Sequence, residues 1–188
     1  APPLDLVRLL AKGQRFGVLT DGAFDMTVQP LWELYRDHFA LPSSAISGPS
    51  DKAIAAVLAK VDYRAVEIAS DRISFTNPGM AITLNGIAQG YITDRVADLL
   101  RAGGMRNVLV DLGEARAEGS HPDGRPWRLG IREDGKAGHS GETYPLRDRA
   151  VATSAPAGTP FEPTGRYHHL FDPRTGQSTN RYSGISVF

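Results

Sequence analysis

Apolar residues recur along this chain in two rhythms. Leu4, Val7, Leu10 and Ala11 fall on one stripe of a helix over residues 4–14, with Pro2-Pro3 ahead and Gly13 near its end. Val28, Leu31, Trp32 and Tyr35 predict a short helix from Thr27 to Tyr35. Ile54, Val57 and Leu58 predict another at about 50–60, opened by Ser50-Asp51. From residue 64 the period shortens. Val66-Glu67-Ile68 and Arg72-Ile73-Ser74-Phe75 read as two strands joined at Ser70-Asp71. Met80 to Leu84 reads as a third, apolar strand. It runs through Asn85-Gly86 into a helix of about 87–102, with Ala88, Ile92, Val96, Leu99 and Leu100 inward and Gly103-Gly104 as its stop. Strands are expected at 108–110 and 127–131, with an exposed loop between them, and at 150–153, 167–171 and 182–188. Residues 41–50 and 134–142, rich in turn formers, read as loops. The class is α+β, with mixed sheets and flanking helices, and residues 1–188 are taken as one domain. The final strand stops without a turn or tail, and the first helix opens almost at once. The expectation is an interior stretch of a longer protein.

Composition narrows the classes. The 188 residues are 41% hydrophobic and 22% charged, and 21 basic residues balance 21 acidic ones. That balance gives no electrostatic reason to expect nucleic acid or an anionic membrane, which call for clustered Lys and Arg. No apolar run reaches the roughly 18 residues that span a bilayer. Cysteine is absent, which excludes disulfides, thiolate metal sites and a cysteine nucleophile. Ala1-Pro2-Pro3 lacks the basic start and apolar stretch of a leader, so composition leaves the compartment open.

Several segments carry chemistry. Leu84 to Tyr91 takes a strand into a helix through Asn85-Gly86. A helix N-terminus offers unpaired N–H groups to phosphate, and the turn carbonyls can face a cation. Gly90 would allow close packing, and the whole segment is equally a routine strand–helix turn. Tyr167-His168-His169-Leu170-Phe171 places adjacent histidines on opposite faces of a strand, so one faces a site and the other the surface. An imidazole near neutrality suits a general base, and Asp172 can hold its own turn; the alternative is one exposed and one structural histidine. In Thr20 to Pro30, Phe24 offers a stacking face and Asp25 an acceptor, unless the loop simply caps a helix. Val151-Ala152-Thr153-Ser154 ends in two hydroxyls. Asp111 and Glu114 bracket a turn and are either functional acids or solvated ones.

Taken in order, these motifs resemble one family. Asp21-Gly22-Ala23-Phe24-Asp25-Met26-Thr27 and Asn85-Gly86-Ile87-Ala88-Gln89-Gly90-Tyr91 are similar to segments of the FAD:protein FMN transferase (ApbE) family. So are Val108 to Gly113, Pro126-Trp127-Arg128, Ala152-Thr153-Ser154 and His168 to Gly176. The resemblance implies that fold, without its N- and C-terminal parts. It implies an enzyme that cleaves FAD with Mg²⁺ and attaches FMN to a Thr or Ser of an acceptor protein. The alternatives are an FAD pyrophosphatase releasing FMN and AMP, or a non-catalytic flavin-binding protein. By motif, Ala23, Phe24 and Asp25 would line the FAD site, and Thr83, Gln89 and Leu170 match FAD-contacting positions. Gly86 would offer its carbonyl to Mg²⁺, and His169 would be the base. The family usually has Lys or Glu where Gln89 stands, and Gly where Ala155 follows Thr153-Ser154. Its acidic Mg²⁺ ligands are expected beyond Phe188. The Gln89 variant with Ile92-Thr93-Asp94 resembles the branch associated with nitrous oxide reduction, whose acceptor would be a membrane-bound flavoprotein. A periplasmic location follows from the same resemblance.

Overall fold

A computed structural model describes residues 1–41, 46–131 and 142–188. The helices are α1 (Leu4–Leu19), α2 (Gln29–Ala40), α3 (Asp51–Leu58) and α4 (Ala88–Ala102). The strands are β1 (Val66–Ile68), β2 (Ile73–Phe75), β3 (Val108–Asp111), β4 (Ala115–Glu118), β5 (Trp127–Gly130), β6 (Thr143–Leu146), β7 (Arg149–Ser154), β8 (Phe171–Asp172), β9 (Gln177–Ser178) and β10 (Ile185–Val187). The α+β class stands, and each described strand pair is antiparallel. No described helix is long and apolar enough to cross a membrane. The chain forms two compact units, Ala1–Gly86 with Gly158–Arg181, and Ile87–Ala157 with Tyr182–Phe188.

In the first unit, α1 is longer than its apolar stripe predicts. Leu9, Leu10, Gly13 and Gly17 are its buried residues, while Leu4 is exposed. The two glycines stand four apart, on one helix face. A Cβ on Gly13 would lie 2.8 Å from Met26 Sδ, and one on Gly17 2.7 Å from the Tyr63 ring. They form the groove that receives both side chains. One core gathers Leu10, Met26, Ala65, Val66 and Met80. A second gathers Leu31, Tyr35 and Ile54, with Phe161, Tyr167 and Phe171 packed on it. The Tyr35 hydroxyl donates to Gly176 O at 3.0 Å, and burial pushes its pKa up to about 12. Ser50 caps α3 as expected, its Oγ accepting from Ala53 N.

Residues 80–84 correct the sequence expectation. They make no ladder; Thr83 N–H donates to Met26 O at 2.8 Å, across to the 20–27 loop. Apolar alternation marks a half-buried extended segment, but a strand also needs a partner with free backbone groups. Residues 167–171 are likewise not one strand. His168 forms an isolated bridge with Pro160, and pairing resumes only at β8.

In the second unit, the sheet order is β10-β7-β4-β3. The expected exposed loop after β3 contains β4 instead, paired on both sides. Ala-Arg-Ala-Glu lacks the β-branched and aromatic residues that signal a strand, so propensity does not show it. Alternation makes it useful. Ala115 and Ala117 sit in a core with Leu146, Val151, Trp127 and Leu129. Arg116, on the opposite face, pairs with Asp94 and Asp98 of α4. The inward face of α4 is therefore Thr93 and Ala97, whereas Ile92 and Leu99 are exposed. Small residues let the helix approach the sheet, and the ion pairs flank them. Residues 42–45 and 134–141 of the expected loops lie outside the described residues.

Gly17→Ala forces a methyl into the Tyr63 ring, so a loss of about 1–3 kcal/mol is expected in denaturant titration. Gly90→Ala meets no described atom within 4 Å. It should instead stabilise by about 0.5–1 kcal/mol, since helix interiors favour Ala over Gly.

Candidate active site

The 20–27 loop begins where α1 ends. Asp21 and Gly22 take φ of 50° and 75°, which turns the chain back. Thr20 Oγ1 donates to Phe16 O and accepts from Phe24 N at 3.0 Å. Phe24 is thereby held half-buried, its ring edge-on to Phe16 at 6.0 Å. Ala23 beside it is exposed. The next residue, Asp25, points inward. Its Oδ1 accepts from Thr27 N at 2.7 Å and Thr27 Oγ1 at 2.6 Å, and its Oδ2 accepts from Tyr63 N at 2.9 Å. A buried carboxylate without such donors is strongly disfavoured. Asp25 thus fastens the loop to the turn at Tyr63, whose carbonyl accepts from Gln14 Nε2 at 3.1 Å.

Thr83 and Gly86 share this neighbourhood. Thr83 Oγ1 accepts from Asn85 N at 3.3 Å, shaping the turn that leads to Gly86. A Cβ on Gly86 would stand 3.3 Å from Phe24 Cε2, so its lack of a side chain allows the aromatic ring to come close. Mg²⁺ is a hard cation that demands octahedral oxygen ligands. Gly86 is exposed, and its carbonyl is one oxygen. Among the described residues, no three His, Asp or Glu side chains gather where they could hold a metal. The described residues alone therefore do not make up a Mg²⁺ centre.

Neither neighbouring histidine faces outward. His168 is fully buried and His169 half-buried, which corrects the expectation of one surface imidazole. Burial lowers both pKa values; Asn180 and Thr179 oppose it for His168, and Thr159 opposes it for His169. Both rings are therefore neutral near pH 7. His169 N–H donates to Thr159 O at 3.2 Å, and its ring lies against Gly158. Asp172 holds the following turn as expected. Its Oδ1 accepts from Arg174 N at 3.0 Å, and its carbonyl accepts from Gly176 N. The Arg174 guanidinium pairs with the same carboxyl and lowers its pKa. Leu170 is half-buried, and its carbonyl accepts from Thr179 N at 2.9 Å.

Gln89 belongs to the second unit, apart from the other seven site residues. Its Nε2 donates to Leu112 O at 2.8 Å. Gly113, with φ of 100°, has no room for a Cβ beside that amide. Glu114, which was open between function and solvation, accepts from Thr153 N at 3.0 Å. Burial raises its pKa. Thr153 Oγ1 and Ser186 Oγ are 2.8 Å apart. Asp111 is exposed and accepts from Gly113 N, closing the turn. The Gln89 amide, Gly113 and Glu114 thus form one connected set that no single motif revealed.

The Phe24 ring beside the Gly86 turn, and the neutral His169 imidazole on its fixed segment, are the two chemistry-bearing features of the first unit. The chain belongs to the ApbE family, whose family model matches residues 1–188. The FAD:protein FMN transferase of Vibrio cholerae is 35% identical over 177 residues, covering 92% of this chain and 52% of its own length. The solved ApbE protein of Thermotoga maritima superposes with a TM-score of 0.84 at 27% identity, covering 98% of this chain and 60% of that one. The solved flavin transferase ApbE of Vibrio cholerae gives 0.78 at 28% identity, covering 99% and 60%. The chain spans about half the length of the curated relatives it matches.

Asp25→Asn turns an amide N–H toward the backbone N–H of Thr27 or Tyr63. Unfolding should show a loss of about 1–3 kcal/mol. Acid should also weaken the fold through the buried histidines. Above pH 6.5 both are neutral folded and unfolded, so they contribute no pH dependence. Below it the unfolded chain binds protons that the folded chain refuses, and stability falls until the lowered folded pKa values are reached. Denaturant midpoints should drop between pH 7 and pH 5, and drop less in His168→Asn.

Proposed function

We infer that this chain is the flavin-handling part of an FAD:protein FMN transferase. The match to the ApbE family across residues 1–188 carries this reading. The reaction joins the FMN phosphorus of FAD to a Thr or Ser hydroxyl of an acceptor protein. One phosphorus–oxygen bond forms, the pyrophosphate bond to the AMP half breaks, and AMP leaves with the electron pair. The hydroxyl proton must go to a base. His169 suits that task, because burial keeps its imidazole neutral and able to accept a proton near pH 7. Phe24 offers a flat face to the flavin or adenine ring, and Ala23 and Leu170 border the nucleotide. Thr83 and Gln89 each match FAD-contacting positions by motif. Asp25 serves by holding Phe24 in place, since its oxygens are engaged within the fold.

Mg²⁺ would take one oxygen from Gly86 and the others from outside the described residues; when bound, it neutralises charge on the pyrophosphate. The acceptor carries a Ser/Thr flavinylation motif. The features shared with the branch associated with nitrous oxide reduction favour a membrane-bound acceptor and a periplasmic site of action.

FAD titration with and without Mg²⁺, followed by assay for AMP, tests the reading on the full-length protein. Saturable binding with Mg²⁺-dependent AMP release supports it, and absence of binding overturns it. FMN on the acceptor distinguishes transfer from hydrolysis. His169→Ala should lower FMN transfer by roughly 10²–10⁴, with FAD affinity kept within a few-fold. Unchanged transfer removes His169 from the mechanism.

A further inference from the structure

Among the described residues, His168 is the largest fully buried polar side chain that the proposed reaction leaves unused. Its side chain is fully buried, yet a buried imidazole retains a donor and an acceptor that need partners. The acceptor is accounted for. His168 Nδ1 accepts from the backbone N–H of Leu170 at 3.2 Å. That bond puts the proton of the neutral ring on Nε2, because Nδ1 must keep its lone pair, and Nε2 has no hydrogen-bond partner among the described residues.

The bond closes a lock around residue 169. Three consecutive backbone N–H groups each have a different partner. His168 N–H donates to Ser178 Oγ at 2.9 Å, His169 N–H to Thr159 O, and Leu170 N–H to the His168 ring. The Ser178 hydroxyl in turn donates to His168 O at 2.7 Å, and Leu170 O accepts from Thr179 N. Ordinary pairing supplies only part of this: the His168–Pro160 bridge accounts for His169 N–H and the end of the β8–β9 ladder for Leu170 O, while His168 N–H and Leu170 N–H are left to side chains. Those side chains supply the rest over the residues that flank His169. Of these partners, only His168 reaches the peptide on the far side of His169 from within the same segment.

We propose that His168 is the positioning residue for His169: its ring, accepting from Leu170 N–H, fixes the backbone on which the base is carried. This rests on the reading of His169 as the base, but the lock itself can be measured without the reaction. Among the described residues, Asn180 and Thr179 bear on the His168 ring, and the His169 ring centroid lies 6.4 Å away.

The test uses the full-length protein and two substitutions. His168→Phe keeps a ring of similar size without the acceptor. His168→Asn places a carbonyl oxygen where Nδ1 stands. Amide hydrogen exchange is read at Leu170, with Thr83 N–H as reference within the same unit. In His168→Phe, Leu170 exchange should quicken about tenfold relative to Thr83, as expected for loss of one hydrogen bond. The kcat for FMN transfer should fall by a similar factor, with KM for FAD unchanged. His168→Asn should restore both. Should His168→Phe not fold, His168→Gln, whose carbonyl reaches the Nε2 position instead, takes its place with the same expected losses. Unchanged Leu170 exchange in the acceptor-less variant overturns the proposal, as does failure of Asn to rescue. A Leu170 response in a protein that transfers no FMN leaves the lock standing and refutes the function instead.

Discussion

The first unit depends on a carboxylate that solvent hardly reaches. Asp25 is 8% exposed and collects three donors, two from Thr27 and one from Tyr63. A charge so placed costs several kcal/mol unless its oxygens are satisfied, so the arrangement around it has little freedom. Once Tyr63 is tied there, its ring fills the groove left by Gly17, and Met26 fills the one left by Gly13. Phe24 is then set between Phe16 and Gly86 by the same loop. The apolar core and the aromatic face of the site are two consequences of one electrostatic constraint.

The histidine segment solves a different problem. The residue proposed as the base has to be carried on rigid backbone, yet residues 168–170 lie where no strand pairs with them regularly. Ser178, Thr159 and the His168 ring satisfy the three N–H groups one by one. Burial keeps both imidazoles neutral, which is the state a base requires and the state a buried acceptor requires. The same desolvation therefore acts on the ring proposed as the base and on the ring that accepts from Leu170 N–H.

In the second unit, hydrogen bonds replace charge at the motif glutamine. The neutral Gln89 amide donates to the Leu112 carbonyl, as a carboxylate in its place could not. Gly113 yields the space. The turn between β3 and β4 is thereby fixed to the start of α4, while Arg116 fixes the same strand to the middle of that helix through Asp94 and Asp98.

Sequence alone located the four described helices, because apolar spacing is a local property, but it ended α1 and α2 five residues too early. It also determined the short β1–β2 hairpin and the order of the motifs that marked the family. It could not show β4, since Ala-Arg-Ala-Glu becomes a strand only when β3 and β7 supply partners on both sides. It misread 80–84 for the converse reason: an alternating segment whose neighbours offer one hydrogen bond rather than a ladder. The inward face of α4 was decided by Arg116 and the alanines of β4, contacts more than fifteen residues away. Nothing local distinguished the two histidines or revealed that Asp25 faces inward. Those assignments came from Tyr63, Thr159 and Ser178, residues distant in sequence that only the folded chain brings within hydrogen-bonding reach.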